Sequence, residues 1–203
     1  MLDKLTISQS EIANDIINRG LVEAAFSLEQ IIQSEVNIET IDFLLNNEND
    51  TQLFTLKDST STHYLIETVI KGEFKGVCYL VLSKDDVNKI HKKCLSANIL
   101  ESNAPNDIMM KKAILTEIDN MLSAAVITEF ANRLNVNIYG DVPKLRVVEQ
   151  NEANQIIRKE AKEYNCLLHF NAVLHAKELD ISPDFLWLLD DDFVNNIKKL
   201  ATN

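Results

Sequence analysis

Glutamate and asparagine stand three residues apart twice in this chain, as Glu11 and Asn14 in SEIANDII and as Glu117 and Asn120 in TEIDNMLS. At roughly 100° of rotation per helical residue, two such side chains lie about 60° apart on one face and can reach a single target. In the second copy, Ile114, Ile118, Leu122 and Ala125 form the apolar face, which turns Glu117 and Asn120 toward solvent or a partner. The bare spacing carries little weight, because Glu129 and Asn132 satisfy it too, while at the matching place in the first half Glu23 is followed by Phe26. Position is what distinguishes the two copies. Both 117 minus 11 and 120 minus 14 equal 106, and Ile12 and Ile118 match at that offset. The register persists to the other end of the unit, where Tyr79, Leu80 and Leu82 fall on Phe185, Leu186 and Leu188, and Asp85 and Asp86 on Asp191 and Asp192. A unit of about one hundred residues is thus duplicated, longer than a solenoid repeat, which predicts a single domain with a pseudo-twofold axis.

The elements that must hold these residues follow from hydrophobic periodicity. Ile12, Ile16, Ala24, Leu28, Ile31 and Ile32 recur at helical spacing and predict a long helix over about 8–33. EVNIETIDFLL reads as a strand, NNENDTQ as a loop, and HYLIETVIKGEFKGVCYLVL as two strands joined through Gly72 to Gly76. SKDDVNKIHKKCL reads as a short helix with Asp85 and Asp86 at its start, where carboxylates satisfy free backbone N–H groups. SANILESNAPND reads as a polar connector, and Pro105 and Asn106 suit the entrance to a second long helix reaching Leu134. The order then repeats with one addition: NVNIYGDVPKLRVVE as strand, NEANQIIRKEAKEYN as an added helix, CLLHFNAVLHAKEL and DFLWLL as strands, and DDDFVNNIKKLA as a closing helix. The predicted class is α/β, a single domain over 1–203 with repeats at about 8–95 and 114–200 and long helices packed on a mixed or antiparallel sheet.

Composition narrows the function. A net charge of -11 argues against nucleic acid, whose phosphates call for a basic stripe, and against anionic membranes. The N-terminus turns polar too early for a signal peptide, and no apolar run approaches the roughly 20 residues of a membrane helix, so a cytoplasmic protein is expected. Cys78, Cys94 and Cys166 are far apart and form no CxxC, as expected of reduced core thiols. His169 and His175 fall in an apolar strand, and no HExxH, GxSxG or phosphate loop occurs. Asp190, Asp191 and Asp192 could bind a metal in isolation, but the matching Asp85 and Asp86 favour helix capping. Trp187 is expected in the core.

EIDNMLSAAVITEFANRLNVNIYGDVP, with Glu117, Asn120 and then Pro143 after 22 residues, resembles the signature of the CheC and CheX chemotaxis phosphatases, as does the ending DFLWLLDDDFVNNIKKL. The resemblance spans about 8–200. Departures are concentrated in the first copy, where Asn37 replaces the proline and DIINRGL replaces small residues; four residues before the motif glutamate stand Ile7 and Ala113 instead of Asp or Ser. The resemblance implies hydrolysis of an aspartyl phosphate on a CheY-type receiver, with Asn120 and Asn14 orienting the attacking water and Glu117 and Glu11 pairing with a receiver lysine. Such chemistry asks for positioning more than for a covalent nucleophile, so an amide holding water in line suffices. The chain then needs no cofactor of its own, magnesium belonging to the receiver. A CheD-like protein is a further partner the resemblance suggests. Two readings remain beside the phosphatase: a non-catalytic receiver-binding or chemotaxis adapter, and a structural element of the flagellar switch, where related folds occur.

Overall fold

A computed structural model describes residues 6–46 and 62–202. The expected loop NNENDTQ lies outside them apart from Asn46, the end of a strand. Helix α1 spans Ile7–Ile32 and opens on a capping box, in which the Thr6 hydroxyl accepts from Gln9 N–H and the Gln9 side chain accepts from Thr6 N–H. Strands β1 (Val36–Asn46), β2 (Thr62–Gly72) and β3 (Gly76–Ser83) follow, then α2 (Lys84–Cys94). The connector after α2 is more ordered than its polarity suggests, because Ala97–Glu101 forms a short helix, α3. Helix α4 spans Pro105–Leu134 with Pro105 in its first turn, where a missing N–H costs nothing. The segment read as one strand is two, β4 (Ile138–Gly140) and β5 (Lys144–Glu149), both paired with β2. Then come α5 (Gln150–Glu160), β6 (Cys166–Ala176), a short β7 (Leu179–Ile181), β8 (Asp184–Leu189) and α6 (Asp191–Ala201).

All pairings are antiparallel, in the order β1-β6-β8-β3-β2-β4, with β5 also on β2 and β7 on β6. Read through the repeat, the order is a palindrome: β3 answers β8, β2 answers β6, and β1 answers β4 and β5. The register places the axis. Tyr79 pairs with Leu186 and Leu80 with Phe185, and adding 106 to Tyr79 and Leu80 lands on Phe185 and Leu186, so each pair maps onto the other.

Central strands are apolar on both sides because both faces of the sheet are covered. Cys78, Leu80 and Leu82 of β3 and Phe185, Trp187 and Leu189 of β8 face the core beneath α1, α2, α4 and α6. The alternating Val77, Tyr79, Val81, Leu186 and Leu188 face a smaller core closed by Ala153 and Ile157 of α5. The added helix therefore forms a third layer. On the larger side, Phe130 of α4 packs 5.8 Å from the ring of Trp187 and 5.1 Å from Phe193 of α6, tying the second long helix to the sheet.

Candidate functional site

Helices α1 and α4 approach closely at Gly20, where a Cβ would stand 2.6 Å from the Cα of Val126. Only glycine permits this approach. Val126 is the repeat mate of Gly20 at offset 106, so the helices cross on the pseudo-twofold axis. Arg133, beyond the crossing on α4, reaches within 3.9 Å of Asp15, before it on α1, so the two helices run in opposite directions. Asn14 and Asn120 each precede the crossing by six residues. At about 1.5 Å per residue, they lie some 18 Å apart along the helices, on opposite sides of it. The structure brings each glutamate together with its own asparagine and keeps the two pairs apart.

Glu11, Glu117 and Asn120 are exposed and Asn14 is half-buried. The local settings differ. The Asn14 carbonyl oxygen accepts from the Asn18 amide at 3.2 Å, and the Asn18 oxygen accepts from the Thr40 hydroxyl of β1 at 2.7 Å. In the second copy Ala124 occupies the place of Asn18, and the Asn120 side chain has no hydrogen-bond partner among the described residues. Beside Asn14, Asp15 pairs with Arg19 at 2.9 Å, an exposed ion pair of small energetic weight.

Asp119 adds a group that periodicity alone passes over. It is fully buried, one residue before Asn120, and accepts from the Thr68 hydroxyl of β2 at 2.8 Å. Burial pushes its carboxyl up to about 7, the Thr68 hydrogen bond opposing the rise. Its mate in the first copy is Ala13, an ordinary core residue. The available signal was a carboxylate between Ile118 and Leu122, on the side of α4 that should be apolar.

The remaining polar candidates are structural. Asp190 caps α6, accepting from Asp192 and Phe193 N–H, and its second oxygen holds Lys75 N–H at 2.8 Å. At α2, Ser83 caps and Asp86 accepts back from Ser83 N–H and its hydroxyl, while Asp85 pairs with Lys89. Capping thus falls one residue earlier at α6 than the matched aspartates suggest. His169 meets Asp184 at 3.2 Å and His175 meets Asp180 at 2.7 Å. No group of three metal-ligating side chains occurs among the described residues, and no described helix is long and apolar enough to cross a membrane.

No family model matches the chain, and no curated protein matches it. Solved structures do. FliY of Thermotoga maritima superposes with a TM-score of 0.73 at 16% identity, covering 98% of each chain. CheX of Borrelia burgdorferi, solved as a CheX-CheY-BeF3-Mg complex, gives 0.53 at 13% identity over 87% of this chain and 99% of that one. FliM, from a FliG-FliM complex of H. pylori, gives 0.63 at 8% identity over 94% and 100%. The fold is that of CheC, CheX and the FliM middle domain. Within this CheC-like fold, Glu11 with Asn14 and Glu117 with Asn120 stand at equivalent places on the two crossing helices.

Proposed function

We propose that this CheC-like protein is a phosphatase of the aspartyl phosphate on a CheY-type receiver, with Glu117 and Asn120 as the principal site and Glu11 and Asn14 as a second. The observation that carries the reading is the same Glu-x-x-Asn pair on both symmetry-related helices, fully exposed in the second copy and with Asn14 half-buried in the first, in the fold of a CheX that has been seen bound to CheY with BeF3 and magnesium. In this reading the glutamate pairs with a receiver lysine and fixes the docking. The asparagine holds a water in line with the phosphorus. The water oxygen bonds to phosphorus as the acyl-phosphate P–O bond breaks, the receiver aspartate leaves as carboxylate, and the water proton passes to the released phosphate. Magnesium, held by the receiver, screens the charge, and this chain contributes orientation. The site of action is the cytoplasm, with the receiver.

A second reading is favoured by the departures in the first copy and by the similarity to FliM in a complex with FliG: an adapter that docks on a receiver without turnover. Decay of a phosphorylated receiver separates them. A phosphatase shortens the phosphate lifetime at substoichiometric concentration; an adapter binds and leaves it unchanged or lengthened.

A further inference from the structure

Helix α4 begins eight residues earlier in the repeat than α1, since Pro105 would correspond to a position before Ile7. These two extra turns form an arm held from beneath. The Lys111 ammonium donates to the carbonyls of Leu100 and Ser102 at 2.9 Å each, the Ser102 hydroxyl donates to Asp107, and the His91 ring nitrogen contacts the Lys111 carbonyl at 2.8 Å. The outer face is left bare. Met109 is 66% exposed and Met110 48%. With Ala113 they lie within about 80° of Glu117 around the helix, on the side that Asn120 also faces. A pinned helix presenting adjacent exposed methionines beside a polar motif has the character of an adaptable contact surface.

Size decides what covers it. A partner docked in a specific complex covers about 800 Å² of this chain, a patch of roughly 16 Å radius. Met110 lies seven residues, about 10 Å, from Glu117 along the axis. A receiver seated on Glu117 and Asn120 must therefore lie over the arm as well. We infer that Met109, Met110 and Ala113 form the apolar part of the receiver-docking surface at the second site. The inference rests on the receiver reading above. It goes beyond it by assigning the partner a complementary apolar patch next to its lysine.

The test pairs the variant Met109→Glu/Met110→Glu with Met109→Leu/Met110→Leu, both methionines being exposed and both replacements good helix formers. Each is titrated with the source organism's receiver proteins activated by beryllofluoride and magnesium, and assayed on phosphorylated receiver. The glutamate variant should weaken binding and raise KM by about tenfold or more, with kcat within about twofold, while the leucine variant stays near wild type. Unchanged binding by the glutamate variant, alongside weakened binding by Glu117→Ala, would overturn the inference and leave the phosphatase reading standing. If Glu117→Ala and Asn120→Ala are both without effect, the underlying reading fails, and this one with it. A wild-type dimer that the glutamate variant dissociates, with receiver binding intact, would assign the patch to a second copy and likewise overturn it.

Discussion

The first copy of the motif is tethered and the second is free, and the difference separates two residue pairs that the repeat places alike. Asn14 is linked through Asn18 to Thr40 on the neighbouring strand, so its amide is preoriented but its oxygen already carries one hydrogen bond. Asn120 stands clear, on a helix that begins about two turns earlier in the repeat than α1 and is anchored beneath by the buried Asp119 to Thr68. A carbonyl oxygen without protein partners is the better acceptor for a water proton, since both lone pairs remain available. In the proposed phosphatase the two copies would be separate sites of unequal strength, since the two pairs stand on opposite sides of the helix crossing.

The largest effect should follow from removing the freer amide. Asn120→Ala is expected to lower kcat about tenfold with KM little changed, and Asn14→Ala to lower it less than about twofold, measured as receiver dephosphorylation at saturating receiver. Equal losses would break the comparison, and a larger loss at Asn14 would reverse it. Next in size, Glu117→Ala should act on the complex instead of the chemical step. Receiver affinity should fall about tenfold at low salt, with the difference from wild type shrinking as salt screens an exposed ion pair. A salt-independent loss would point to packing in place of charge.

Asp119 sharpens the comparison through stability. Its carboxyl titrates near 7 in the folded protein against an ordinary value of 3.8, so the folded state keeps a proton that the unfolded chain releases. The stability tied to this group is complete below about pH 4 and is lost as pH rises through about 7. Asp119→Asn should remove that dependence, making the variant more stable than wild type at pH 8 by an amount on the order of 1–3 kcal/mol and less so at pH 5, read by chemical denaturation. A stability difference between variant and wild type that does not vary with pH would contradict the buried-acid account. The smallest effect is expected for Asn18→Ala, which frees Asn14 and should change turnover by the first site, isolated in an Asn120→Ala background, by about two- to threefold.

Much of this architecture was readable in the sequence because the fold rests on apolar periodicity and on a duplication that leaves a fixed offset. GVCYLVL and DFLWLL announce strands covered on both faces, and the shared offset puts their central residues opposite one another. The motif residues were equally readable, since they are polar and lie opposite an apolar face. What escaped depends on tertiary proximity. Asp119 stands on the apolar side of α4 with no partner in view until the fold brings Thr68 to it, and Asn18 has no evident role until a strand twenty-two residues on brings Thr40 to it. The split between β4 and β5 follows from Asp141 N–H bonding to the Val69 carbonyl, ahead of Pro143, which cannot donate to a ladder. The helix Ala97–Glu101 is too short for periodicity to register.

The most direct test of the central claim is phosphate release from a phosphorylated receiver mixed with wild-type protein or with the Asn14→Ala/Asn120→Ala double variant. The wild type should accelerate release severalfold or more over the receiver alone, and the double variant should return it to the receiver's own rate while still binding the receiver. A double variant as fast as wild type would contradict the assignment of these asparagines, and a wild type without effect would contradict the phosphatase itself.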